Sequence, residues 1–387
     1  MLDGIKKAVD YIKANDKYIK SAINMQSAVW RGEPTDISPF VVSCPLTEEQ
    51  ASWLPWHNTE ETHFDSEKMF ITGLRDMLAA VNGCCGAVPS VRANMGCGII
   101  PSLFGIQQAL FGDGKMPWML EHAKKEALMQ REPVFSINDP RNGEEFAAAL
   151  RHMDYITDKL REYDLNNAFI FPLDLQGPID TAHLIYGDTI FYEFYDDPEF
   201  THRLLSLSCD AMDFAMRECF KRIDRSDELI THYNMWVMPR SLGGLKLSED
   251  TTTLLPPGLI DEFAMPHLRD MLNRFNGGYV HYCGKNDHLL NVLLKEPLVR
   301  GINFGNPDMH DMSEVIRRCK ESRKVYAGGV HILPGESLFD FFTRVLEPAY
   351  DCNTGCFYIL LQHYCNINER ENFIGEFERA FDKIREN

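Results

Sequence analysis

The chain has 387 residues, 44% apolar, 11% aromatic and 25% charged, with a formal net charge of -18. This is ample material for a buried core and not the composition of a disordered chain, and the acidic field repels phosphate backbones with no Lys/Arg cluster to reverse it, so nucleic acid is not an expected partner. Eleven cysteines, an odd number scattered along the chain, point to reduced thiols rather than a disulfide framework.

The chain opens with MLDGIKKAVDYIKANDKYIK, which is helical in period and charged, without the apolar centre of a signal peptide; residues 1–35 read as a helical preface. No later stretch approaches the roughly 18 uninterrupted apolar residues of a membrane span, so a soluble cytoplasmic protein is expected. Apolar, β-branched runs then recur with helical segments between them, the pattern of repeated β-α units around a parallel sheet. Eight are candidate strands: PFVVSC from Pro39, AVPSVRA from Ala87, AFIFPLD from Ala168, LITHYNMWV from Leu229, GYVHYC from Gly278, VRGINFG from Val299, KVYAGGV from Lys324 and GCFYILL from Gly355. Amphipathic stretches such as the one from Asp197, with Pro198 suited to a first helical turn, fill the intervals. Residues 105–163 are too long for a simple crossover and read as a helical insertion near the mouth of a barrel. A (β/α)8 TIM barrel forming one domain over 1–387 is the expected architecture, since barrels routinely exceed the usual domain length.

Chemistry concentrates at strand ends. In GGYVHYCGKNDHLL, His281 and Cys283 are two apart on an extended strand, so imidazole and thiol point the same way at the end of the barrel where catalysis sits. Such a pair suits half of a zinc site, with Cys365 beyond the last strand as third ligand and Cys352, Cys356 and His363 as rivals. The competing reading makes His281 a hydrogen-bonding residue and Cys283 a small buried hydrophobe. Asp174, at a strand end in FPLDLQGP, is a candidate acid, base or partner of a metal-bound histidine, or else a helix cap. Asp250, in the loop after the run from Leu229, is an N-cap or loop carboxylate or else a candidate for orienting substrate or metal, and His331, after two glycines, a candidate general base or a cap. Arg92 and Arg240 are candidate anion clamps, with a structural salt bridge as the bland alternative. His232, Asn234 and Trp236 alternate on one predicted strand and are candidate substrate contacts, although Trp236 also suits a core. Adjacent Cys84 and Cys85 point apart and read as packing.

Block by block, the sequence resembles the uroporphyrinogen decarboxylase superfamily. MQSAVWRGEPTDISP, FPLDLQGPIDTAHLIYGDTIFYEFYDDPEFTHRLL, LSEDTTTLLPPGLIDEFAMPHL, GYVHYCG, YAGGVHIL and FYILLQHYCNI are similar, in order, to its conserved blocks over about Met25 to Ile384. The resemblance is closest to the zinc-dependent corrinoid methyltransferase branch, whose His-x-Cys and distant Cys fall on His281, Cys283 and Cys365. It implies a barrel of the uroporphyrinogen decarboxylase type, a Zn2+ cofactor, and methyl transfer between a small methylated substrate or thiol and a corrinoid on a cobalamin-binding partner protein, with a homodimer admissible. A metal-free decarboxylase acting on a porphyrinogen-like or smaller carboxylate is the alternative, and a non-catalytic binding barrel a second. The decarboxylase's Arg-rich segment for a polyanionic substrate is matched here only by SVRANMGCGIIPSLFG, which offers Arg92 alone.

Overall fold

The computed structural model describes residues 2–35, 40–112, 115–232, 235–350, 358–362 and 369–386. Its described strands are β1 (Phe40–Val42), β2 (Ser90–Arg92), β3 (Gln108–Ala109), β4 (Trp118–Met119), β5 (Phe169–Phe171), β6 (Leu229–His232), β7 (Trp236–Pro239), β8 (Leu245–Ser248), β9 (Gly278–Tyr282), β10 (Val299–Phe304), β11 (Val325–Gly328) and β12 (Tyr358–Gln362). Six of these form a parallel sheet in the order β1-β12-β11-β10-β9-β8, and β2 pairs in parallel with β5. A parallel bridge between Gln176, just past β5, and Ser248 of β8 joins the two. Read by pairing, the parallel strands run β2, β5, β8, β9, β10, β11, β12, β1, which is chain order with the last strand beside the first. No ladder joins β1 to β2 among the described residues; the Val42 N–H instead donates to the Cys85 carbonyl at 3.1 Å.

Side chains alternate between two environments along these strands. Leu245, Leu247, Val280, Tyr282, Ile302, Phe304 and Tyr326 belong to the large core shared with the helices. Between them, Val41, Tyr279, Val325 and Ala327 face a second apolar cluster, joined by Met25, Val29 and Trp30 of the preface and by Trp236 and Met238. The preface is two helices, α1 (Leu2–Ala14) and α2 (Asp16–Arg31), and α2 ends where Gly32 adopts φ 69°, a left-handed cap that suits glycine. Gln26 ties it in: its amide donates to the carbonyls of Gly86 (2.6 Å) and Met235 (2.9 Å) and accepts from the Val237 N–H (2.8 Å).

One expected strand takes another form. LITHYNMWV does not cross the sheet; β6 and β7 are antiparallel, with Leu229 opposite Pro239 and His232 opposite Trp236. The chain then passes Gly243 at φ 141°, where a Cβ would sit 2.2 Å from the Gly277 carbonyl group, and enters the short parallel strand β8. Within 105–163, the span carries the small β3-β4 pair, a helix at Lys125–Met129 and the long helix Glu144–Glu162, which packs on the helix Ser66–Asn82. Among the described residues no helix is long and apolar enough to cross a membrane.

His63 is fully buried with neither ring nitrogen hydrogen-bonded. Burial, reinforced by the neighbouring His152, pushes its pKa down from 6.5 to about 4. Because the folded pKa lies below the unfolded one, the unfolded chain takes up the proton first, and stability falls as pH drops from about 6.5 toward about 4, by roughly 2–3 kcal/mol in total. A His63→Leu variant is expected to show a flatter dependence of Tm on pH across that window; an unchanged slope would place the acid sensitivity elsewhere.

Candidate metal centre

The ends of β8, β9 and β10 are in register, with Ser248 beside His281 and His281 beside Asn303. Parallel pairing thereby carries three inward-facing polar side chains to one level. The Asn303 amide nitrogen donates to the Ala327 carbonyl, so its oxygen faces the ring and accepts from His281 Nδ1. This fixes the tautomer: Nδ1 carries the proton and Nε2 keeps its lone pair. Burial, then the nearby Lys246 ammonium, lowers the His281 pKa, so the ring is neutral at physiological pH.

The lone pair points at two further donors. Nε2 lies 3.6 Å from Cys283 Sγ and 3.6 Å from Asp250 Oδ1. Asp250 is held in turn by the Cys283 backbone N–H, which donates to Oδ1 at 2.6 Å. Burial and the adjacent Asp250 carboxylate push the Cys283 thiol up to about 11, so without a cation it stays protonated. One ligand atom from each of Asp250, His281 and Cys283 lies within 4.8 Å of the others. Ligands of a tetrahedral zinc with bonds of about 2.0–2.3 Å sit roughly 3.3–3.8 Å apart, so these three converge as a divalent cation requires. Gly305 keeps the space open, since a Cβ there would fall 2.4 Å from Cys283 Sγ.

Beneath this level, Lys246 on β8 is almost fully buried and donates to Asp174 Oδ1 (2.7 Å) and Ser248 Oγ (2.5 Å). Arg92 on β2 donates to the other Asp174 oxygen at 2.6 Å. Burial alone would raise the Asp174 carboxyl, but the two cations outweigh it and hold the group well below the usual carboxylate range. Beside the centre opens a cavity of about 660 Å³, whose walls include Trp118, Asp174, Asp180, His183, Asp250 and Thr251.

The structure thus brings Asp250, His281 and Cys283 together, with Asp174 and Arg92 one layer below. Other candidates lie apart. Arg240 follows β7, donates to the Phe275 carbonyl at 2.9 Å and covers the Phe220 ring. Trp236 is buried against Tyr279 in the apolar cluster. His331 is exposed, 3.8 Å from Asp308. His232 lies in β6. Asn234 and Cys365, with Cys352, Cys356 and His363, lie outside the described residues. Sequence reasoning missed Lys246, Asn303, Asp180 and His183. Of these, Asn303 carried a usable signal, a polar residue within a mostly apolar strand.

No protein-family model and no curated protein matches this sequence. Among solved structures, a methyltransferase from Methanosarcina mazei shares the fold. It superposes with a TM-score of 0.61 at 14% identity, covering 94% of this chain and 98% of that chain. At that identity the likeness is one of architecture, a mixed α/β chain of parallel strands and helices.

Proposed function

We propose that this chain is a zinc-dependent methyltransferase on a closed (β/α)8 barrel of the uroporphyrinogen decarboxylase type, moving a methyl group between a small methylated compound or thiol and a corrinoid held by a partner protein. The observation that carries this reading is the convergence of His281, Cys283 and Asp250 on one point, with Asn303 holding the ring in the ligating tautomer. The fold shared with a methyltransferase agrees with it. His281 and Cys283 would hold the cation with Asp250 or Cys365 as third ligand, leaving a position open. A zinc ion held there would supply the Lewis acidity that lowers a thiol's pKa toward neutral pH. The residues of the chain orient the reactants: Asp174, pinned by Lys246 and Arg92, keeps the charge beneath the centre fixed, and the cavity beside it takes a small molecule. Exposed Leu254, Met309, Ile332 and Leu333, in the loops after β8, β10 and β11, give the rim an apolar face suited to a docked corrinoid protein. Decarboxylation is less well served, because an incoming carboxylate needs a cation and both Arg92 and Lys246 already bind Asp174.

Metal binding should release protons. The Cys283 thiol is protonated at pH 7, so zinc held by His281, Cys283 and Asp250 displaces about one proton, and zinc held with Cys365 as well displaces about two. Calorimetric zinc titrations in buffers of different ionisation enthalpy count them, and affinity should rise about tenfold per pH unit for each. The zinc-loaded protein, given methylcobalamin and a simple thiol, is expected to demethylate the corrinoid. No saturable zinc binding removes the metal centre; stoichiometric zinc without demethylation removes methyl transfer to a thiol.

A further inference from the structure

A continuous hydrogen-bonded path runs from the wall of the cavity to solvent. Asp180, near the start of the helix Pro178–Tyr186, is buried, and its Oδ1 lies 3.1 Å from Thr251 Oγ1. The Thr251 backbone N–H fixes that carboxyl by donating to both oxygens, at 3.0 and 3.2 Å. Thr251 Oγ1 lies 3.1 Å from His183 Nδ1, and His183 Nε2 lies 2.8 Å from Oδ1 of Asp188, whose side chain is 93% exposed. Asp180, His183, Asp188 and Thr251 all border the 660 Å³ cavity.

We infer that Asp180 and His183 share one proton through the Thr251 hydroxyl, and that His183 with Asp188 is the outlet by which the cavity exchanges protons with solvent. The hydroxyl can serve both ends because it donates one hydrogen bond while accepting another. With the proton on Asp180, the carboxyl donates to Thr251 Oγ1, Thr251 donates to a neutral His183 Nδ1, and His183 Nε2–H donates to Asp188. With the proton on His183, both imidazole nitrogens donate and Thr251 donates to the Asp180 carboxylate. Passing between these states breaks one O–H bond at Asp180 as another forms at Thr251, and breaks the Thr251 O–H bond as an N–H bond forms at Nδ1. The imidazolium then yields its Nε2 proton to Asp188 and water, leaving Asp180 as a carboxylate able to accept a proton from a group in the cavity. Burial, opposed by the Thr251 hydrogen bonds and supported by the facing charge of Asp250, raises the Asp180 carboxyl toward the range in which an imidazole also titrates, so the two sites compete for one proton. Buried Glu249 and, with the opposite sign, Lys246 are the other charged groups acting there, while the Phe191 ring edge meets His183.

The purpose of this path rests on the methyl-transfer reading, in which a thiol must lose a proton, but its existence is testable without turnover. The experiment uses the full-length, metal-free protein labelled with [13Cε1]histidine, with His183 assigned through His183→Gln, and follows the His183 signal against pH. Asp180→Asn and Thr251→Val are each expected to move its midpoint down by roughly half a unit or more, and Thr251→Ser to restore the native curve. The serine variant guards against a simple folding defect in the valine one. If the midpoint is the same in the native chain, Asp180→Asn and Thr251→Val, the shared proton does not exist. A failed methylcobalamin assay with coupled titration overturns only the reaction, and the converse result overturns only the relay.

Discussion

Replacing Cys283 by alanine is expected to reduce zinc from about one ion per chain to less than about 0.2 after purification and dialysis. It should also remove the proton released on titration. The expectation follows from what each ligand supplies. His281 offers one neutral nitrogen and Asp250 a carboxylate already engaged by the Cys283 N–H, whereas Cys283 offers the sulfur that becomes anionic on binding. Asn303→Ala removes no ligand but frees the His281 ring to rotate and to take the other tautomer; loss of such a supporting partner commonly weakens metal binding about 10–100-fold. The order Cys283→Ala, then Asn303→Ala, then native is therefore expected in affinity, and equal zinc content in all three would leave no metal role for the β9 pair. Comparing Asp250→Asn with Cys365→Ala in the same assay identifies the third ligand.

Lys246→Met should destabilise the fold more than a typical substitution does. The ammonium is buried and lies 2.7 Å from Asp174. Methionine fills a similar volume but leaves Asp174 with Arg92 as its remaining ion-pair partner among the described residues. Breaking a buried pair from one side costs about 3–5 kcal/mol, because the abandoned charge stays out of water. For a chain of this length, with about 2 cal/mol/K of unfolding entropy per residue, that corresponds to a Tm lower by roughly 4–6 °C. Adding Asp174→Asn should recover part of the loss, and a cycle of the two single variants and the double variant gives the coupling. In the native chain the same pairing contributes to stability in acid. The depressed Asp174 carboxyl contributes stability that is present above the ordinary aspartate range and is lost only as pH falls through its lowered value, in strong acid. Additive losses in the cycle would show that the charges act independently.

Much of this arrangement was legible in the residues, and the gaps have a physical origin. β1, β2, β5 and β9 to β12 announce themselves because both faces of a buried parallel strand are apolar. β8 did not, because Lys246 and Ser248 occupy its inner face and break the apolar run; the polar interior that makes a site also erases the pattern by which its strand is found. The run LITHYNMWV reads locally as a buried strand, yet its two ends pair antiparallel with each other, and Gln26, far away in sequence, binds the backbone of Met235 and Val237, a relation invisible to periodicity. His281 and Cys283 could be paired from their i, i+2 spacing alone, whereas Asp250 could be placed in a loop but not beside them. Asn303 could not, because its relation to His281 is a register between strands, and nothing in GINFG reveals which neighbour it faces.

The layer of Tyr279, Trp30 and Trp236 lies one inward position before His281 along β9, and it is assembled from the preface, the hairpin and the sheet together. The His281–Cys283 pair and the anchoring aromatic groups therefore occupy separate storeys of the same strands. On the proposed function, substrate preference would drift through exchanges in the loops that line the cavity, such as the segment around Trp118, while the storey below keeps the strands aligned. A library randomised at 115–120 should yield mostly folded variants with altered ligand choice, whereas one randomised at positions 30, 236 and 279 should yield mostly insoluble protein.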